Sequence, residues 1–198
     1  MISRQELRNK KRHQRQSLSP QQQAAAARAI ERQLIGSSVF CHARHIACYL
    51  ANDGELDLSV VMTRMLAMKK RCYLPVLDKL GSKRLWFAPF NTGTRLQVNR
   101  FGIPEPMVSP REYVLASALD MILLPLVAFD NQGNRLGMGG GFYDRSLAYL
   151  QRRQCWIKPH LYGVAHELQR VDSLEYAAWD IPLHGIVTEE RVYQIGSR

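Results

Sequence analysis

Met121-Ile122-Leu123-Leu124-Pro125-Leu126-Val127-Ala128-Phe129 is an unbroken apolar run, and Phe142-Tyr143-Asp144-Arg145-Ser146-Leu147-Ala148-Tyr149-Leu150 behind it repeats apolar positions at helical spacing. The first stretch predicts a buried strand and the second an amphipathic helix running from about 142 to 153. Between them, four glycines fall within positions 137 to 141, so the backbone can turn its N–H groups inward. Arg135 and Arg145 place a cation on each side. A helix opening at Phe142 adds free N–H groups and the positive end of its dipole. The stretch predicts an anion cradle where a strand feeds a helix.

The rest of the chain alternates in the same way. His45 to Leu50 reads as a strand, Asp57 to Met68 as a helix, and Arg71 to Val76 and Lys83 to Ala88 as strands. Asn91 to Pro110 is rich in Gly, Pro and Asn and reads as a loop, and further strands are expected at Leu161 to Ala165 and Gly185 to Thr188. Such alternation predicts an α/β sandwich with a mainly parallel sheet. Ligands then sit beyond the carboxyl ends of the strands, where Leu50 to Glu55, the 130 to 144 loop and the turn after Ala165 would converge. With 198 residues, 46% of them apolar, and no repeat, linker or composition break, residues 1–198 are expected to form one domain.

The formal charge is +10, from 27 Lys and Arg against 17 Asp and Glu. It predicts attraction to polyanions: nucleotides, polyglutamate tails or nucleic acid. Residues 1–35 hold eight of the cations and two acids, a net +6. Ser3 followed by Glu6, and Ser19-Pro20 followed by Gln22, are capping-box signatures that predict two N-terminal helices of roughly twelve to sixteen residues. The first helix is mostly cationic and reads either as a solvated face or as a lid over an anionic ligand. Cys41, Cys48, Cys72 and Cys155 form no C-x-x-C pair, and the polar N-terminus carries no secretory apolar segment, which predicts reduced thiols in a cytoplasm. Cys41, His42 and His45 lack the downstream partners of a zinc clip. The longest apolar run, Met121 to Phe129, is less than half of the ~20 residues that cross a bilayer.

The glycine segment is not a P-loop, since no Gly-Lys-Ser or Gly-Lys-Thr closes it. It is not a dinucleotide fingerprint either: the third glycine would fall at Phe142, and no acid about twenty residues on is placed to hold a ribose. Asp144 in the first helical turn would repel a bound phosphate unless a divalent cation lay between them, so a nucleotide with magnesium suits the segment.

In this order, the basic stretch Arg4 to Arg8, Leu50-Ala51-Asn52-Asp53-Gly54-Glu55, Phe101-Gly102-Ile103-Pro104-Glu105-Pro106 and Arg135-Leu136-Gly137-Met138-Gly139-Gly140-Gly141-Phe142-Tyr143-Asp144-Arg145 make the chain resemble the 5-formyltetrahydrofolate cyclo-ligase (methenyltetrahydrofolate synthetase) family almost end to end. The resemblance implies a three-layer α/β/α sandwich. It implies an ATP site at Arg4, Gln5, Glu6, Leu7 and Arg8 together with Arg135, Leu136, Gly137, Met138, Gly139, Gly140, Gly141, Phe142 and Tyr143. Folate contacts are implied at Leu50, Glu55 and Met138 to Phe142, and Mg2+ ligands at Asp144 and Asp180. The basic first helix moves accordingly toward an ATP lid. Near Asp180 the chain departs from the family pattern, with Trp179 before the acid and His184 in place of a second one, which would lower the local negative charge.

The implied reaction closes a ring: N10 of 5-formyltetrahydrofolate, with or without a polyglutamate tail, attacks the N5-formyl carbon while ATP becomes ADP and phosphate. The formyl oxygen is a poor leaving group, so it is expected to take the γ-phosphoryl group first and depart as phosphate. That chemistry asks for alignment and charge neutralisation. Arg135, Tyr143 and Arg145 are the candidate catalytic residues, with Phe142 and Tyr143 offering flat surfaces to the pterin and Glu55 an acceptor to its amino edge. The expected partners are ATP and the folate, with no membrane and no nucleic acid, and the chain is expected to act as a monomer. The rival readings are a basic nucleic-acid-binding protein and an ATP-dependent kinase or ligase with another small acceptor.

Overall fold

The computed structural model describes residues 2–78, 81–152, 158–175, 177 and 180–196; Cys155 and Trp179 lie outside them. The chain opens with α1 (Arg4–Gln16) and α2 (Pro20–Ile35), each started by a full capping box. Ser3 Oγ accepts the Glu6 N–H at 3.2 Å while the Glu6 carboxylate accepts the Ser3 N–H at 2.8 Å, and Ser19 and Gln22 repeat the pattern. Each cap contributes about 1 kcal/mol and fixes where the helix begins.

After α3 (Ser38–His42) come β1 (His45–Ala47), α4 (Ser59–Ala67), β2 (Arg71–Leu77) and β3 (Leu85–Phe90). A short hairpin, β4 (Leu96–Val98) and β5 (Pro104–Pro106), leads to β6 (Met121–Pro125), and a second one, β7 (Ala128–Phe129) and β8 (Arg135–Leu136), to α5 (Phe142–Leu147). Then follow β9 (His160–Val164), β10 (Gly185–Val187) and β11 (Val192–Gln194). The central sheet has the order β11-β10-β9-β6-β1-β2-β3. Its five inner strands pair in parallel and the two outer ones are antiparallel, so the sheet is mainly parallel with helices around it.

The apolar run of β6 is explained by burial on both faces. Met121 and Leu123 join a cluster with Ile30, Leu34, Phe40, Val61 and Met65 from α2, α3 and α4. Ile122 and Leu124 point the other way, into a cluster with Phe87, Leu119, Leu147, Leu161 and Ile186. From β1 the chain proceeds to β2 on one side, and from β6 to β9 on the other. The strand order therefore reverses between β1 and β6, which opens a crevice beyond their carboxyl ends.

Several expectations need correcting. The run 121–129 is not one strand. Leu126 still gives its N–H to Val164 of the sheet, but Val127 gives its own to Leu136, so the chain leaves the sheet between them and starts the β7–β8 hairpin. The glycine segment thus follows a hairpin strand and not a sheet strand. The helix expected to reach 153 is α-helical only to Leu147 and continues as a 3-10 turn to Arg152. The loop expected at 91–110 contains the β4–β5 hairpin.

Candidate functional site

A cleft of about 1090 Å³ lies at the crevice between β1 and β6. Its walls are Tyr49, Leu50, Asn52 and Glu55 after β1, Leu124 to Leu126 at the end of β6, the segment Gly137 to Arg145, the hairpin turn with Phe101 and Ile103, and α1 through Arg4 and Arg8. The turn after Ala165 does not line it. That turn instead supports α1: the Lys11 ammonium donates to the carbonyls of Leu168 and Arg170 at 2.6 and 3.0 Å, and Gln169 ties the turn to Leu126 and Val127.

The basic helix is docked and is not a solvated arm. Arg8 Nε donates to the Gly137 carbonyl at 2.9 Å, and Arg12 forms a bidentate pair with Asp53 at 2.6 and 3.2 Å. Arg15 is fully buried and bonds Asp53 and Leu126. Helical spacing turns Arg4 and Arg8, one turn apart, into the cleft. Among the other residues of this stretch, Gln5 accepts from Arg8, Glu6 caps the helix, and neither these two nor Leu7 lines the cavity.

The glycine segment is shaped by its backbone. Gly139 and Gly141 have φ of 94° and 64°, the left-handed region that only glycine adopts freely. Gly141 in this conformation opens α5. The N–H groups of Met138, Gly139, Gly140 and Gly141 donate to no acceptor among the described residues. They are a set of unpaired donors at a helix start, beside the Arg4 and Arg8 guanidinium groups. Leu136, by contrast, is buried in the core and does not line the cleft.

The charged groups behind the segment are interlocked. Arg135, nearly buried, donates to the Ile181 carbonyl and pairs with Asp144. Burial pulls its pKa below the ordinary arginine value, against the attraction of Asp144 and Asp180. Arg145 donates to the Gly140 and Lys83 carbonyls, holding the segment from its other side. Asp144 and Asp180 both line the cleft, and Asp180 accepts the Ala177 N–H. His184 stands elsewhere. Its Nδ1 accepts the Leu161 N–H at 3.0 Å and its ring meets His160 edge-on, so it buttresses β9 and neither lines the cleft nor alters its charge.

On the opposite wall, Glu55 is largely buried and burial raises its pKa to about 7, against the pull of Arg15. The Tyr143 hydroxyl is pushed well above its ordinary value by burial and by Glu55, so it stays protonated. Phe142 meets Phe101 edge-to-face at 5.8 Å, which joins the glycine segment to the hairpin turn. Glu105 was missed as a site residue by sequence reasoning. It lines the cleft and accepts from Leu77 N–H and Asn99 Nδ2, tying the turn to β2.

Similarity to known proteins runs along most of the chain. Residues 1–189 match the model of the 5-formyltetrahydrofolate cyclo-ligase family. The 5-formyltetrahydrofolate cyclo-ligase of Escherichia coli K12 is 37% identical over 92% of this chain and 98% of its own, and that of Haemophilus influenzae 35% over 93% and 96%. The solution structure of Aquifex aeolicus 5,10-methenyltetrahydrofolate synthetase superposes with a TM-score of 0.82 at 32% identity, covering all of this chain and 95% of that one. The Mycoplasma pneumoniae synthetase, at 21% identity and a TM-score of 0.73, shares the fold. The chain belongs to the 5-formyltetrahydrofolate cyclo-ligase family.

Proposed function

We propose that this ligase uses ATP to close 5-formyltetrahydrofolate to 5,10-methenyltetrahydrofolate, with the triphosphate on the glycine segment and the folate against Glu55, Leu50 and Phe142. The observation that carries the nucleotide assignment is the row of unpaired N–H groups at 138–141, in a segment that lines a cleft flanked by Arg4 and Arg8. Such donors, fixed in place before the ligand arrives, stabilise charge on a transferring phosphoryl group. Arg8 and Arg145 hold the segment at Gly137 and Gly140, and Arg135 sits behind it.

Ring closure proceeds in two stages. The formyl oxygen attacks the γ-phosphorus and ADP leaves; N10 then adds to the formyl carbon and gives up its proton, which departs with the phosphate as the C–O bond breaks. No side-chain nucleophile is needed, so the residues act by alignment. Tyr143 keeps its proton and can donate it in a hydrogen bond, while Phe142 and Phe101 offer the pterin an apolar wall. Glu55 in its charged form accepts from the pterin's amino edge.

The donor set fits Mg2+. The ion takes one or two carboxylates and completes its shell with water and phosphate oxygens. Asp144 and Asp180 both line the cleft, and no group of three or more His, Cys, Asp or Glu suited to a metal gathers among the described residues. When bound, the ion would neutralise phosphate charge, with Asp144 and Asp180 holding it.

Two other assignments belong to the same reading: a monomer, and a reducing compartment such as the cytoplasm, in keeping with the free Cys41, Cys48 and Cys72. The test of the function mixes protein, magnesium ATP and 5-formyltetrahydrofolate and follows the near-ultraviolet absorbance of the methenyl product. A rise that requires ATP is expected; no rise, or one that persists without ATP, overturns the reading.

A further inference from the structure

Arg15 contributes no atom to the cleft surface, yet three of its walls meet on its guanidinium. Nε donates to the Asp53 carbonyl at 2.8 Å, Nη1 to the Leu126 carbonyl at 3.2 Å, and Nη2 to Asp53 Oδ2 at 2.8 Å. The same Nη2 stands 3.7 Å from Glu55 Oε1. The side chain thus joins α1, the loop after β1 and the end of β6 in one buried knot. The loop is bent to meet it: Asp53 adopts a left-handed φ of 54°, and a Cβ on Gly54 would lie 3.1 Å from the Arg15 carbonyl oxygen. A neutral side chain could fill the space but would leave Glu55 buried with no cation beside it.

We propose that Arg15 is a positioning residue for folate capture: it fixes the 50–55 loop and favours the charged form of the Glu55 carboxylate where it lines the cleft. This rests on the reading of Glu55 as a folate contact. The groups acting on Glu55 are few. Arg15 on α1 draws it toward the charged form and Asp53 in its own loop opposes, while Tyr49 and the α5 residue Tyr143 face it as neutral phenols; the Asn52 N–H donates to Oε2. His166 faces Arg15 and is held neutral by burial, with a pKa lowered to about 4. Asp53 and Glu55 therefore share one guanidinium, and the balance between them sets the charge of the residue that meets the ligand.

The experiment measures equilibrium binding of 5-formyltetrahydrofolate, without ATP, between pH 5.5 and 9. In the unaltered protein, affinity falls as pH drops through about 7, as Glu55 takes up a proton. Arg15→Gln keeps N–H donors for the two carbonyls but removes the charge. It should raise that midpoint by about one pH unit, weakening binding about fivefold at pH 7 and restoring it near pH 9. Arg15→Lys should return the midpoint toward the original. A merely structural role would weaken binding equally at every pH, and that outcome overturns the proposal. Should Arg15→Gln not fold, Asp53→Asn serves instead: it leaves the guanidinium to Glu55 and should lower the midpoint, whereas an unmoved or raised midpoint overturns the proposal. Glu55→Gln separates the two levels. If its binding keeps the same pH dependence, the folate reading of Glu55 fails; if that dependence vanishes while Arg15→Gln leaves the midpoint in place, only the role of Arg15 fails.

Discussion

Arg8 and Gly137 are joined across 129 positions of sequence: the guanidinium Nε of the first helix donates to the carbonyl that opens the glycine segment, at 2.9 Å. This bond ties the first helix to the start of the segment whose N–H groups are unpaired. Arg8→Met should therefore raise KM for ATP about ten- to a hundredfold, because it removes both a cation at the cleft and the tether of the segment. An unaltered KM would contradict the assignment.

Asp144 has two tasks, as the partner of buried Arg135 and as a proposed Mg2+ ligand. Asp144→Asn should lose about a hundredfold or more in ATP-dependent turnover, with a fall in stability of about 1–3 kcal/mol as Arg135 loses its counter-charge. A magnesium titration checks the metal role. A magnesium dependence of turnover unchanged from that of the unaltered protein would leave Asp144 as a structural partner only.

Glu55 trades stability for charge. Its folded pKa is raised from 4.5 to about 7, so its favourable contribution is present below about pH 4.5 and is lost as pH rises to 7. The displacement corresponds to about 3 kcal/mol. Glu55→Gln should therefore raise Tm at pH 8, by several degrees, and change it little at pH 4.5, while folate binding weakens. A Tm difference that does not vary with pH would show that the carboxylate is not strained by burial.

The glycines should not be equivalent to substitution. A Cβ at Gly137 would meet nothing within 4 Å, whereas Gly139 has a φ of 94°, where any other residue is strained. Gly137→Ala should leave stability within about 0.5 kcal/mol, while Gly139→Ala should cost about 1–2 kcal/mol or turn the neighbouring amides away and lower ATP affinity. Urea denaturation and nucleotide binding of the two variants provide the comparison.

The helix starts at Ser3 and Ser19 were legible because capping is local: serine and the residue three positions on complete each box without help from the fold. The parallel core was legible as well, since β6 is buried on both faces and shows it as a continuous apolar run. The end of that run was not, because Leu126 and Val127 differ only in their partners, Val164 and Leu136, which are distant in sequence. The β4–β5 hairpin escaped notice for a different reason: its strands have three residues each, and prolines fill two places in β5. At the site, the glycine segment and Asp144 announced themselves by composition. Arg15 did not, because one arginine among several in a basic helix carries no local mark of being buried; its partners Asp53 and Leu126 are supplied by the loop after β1 and the end of β6.

The five hydrogen bonds by which Lys11 and Arg15 fasten α1 have a consequence for traffic through the enzyme. At about 1.5–3 kcal/mol for each charged donor, raising the helix would require on the order of 10 kcal/mol, so that roughly one molecule in ten million would have it raised at any moment. Ligands therefore meet the cleft with α1 seated in all but a trace of the molecules, and Phe101 and Met138, both exposed, stand at its other walls.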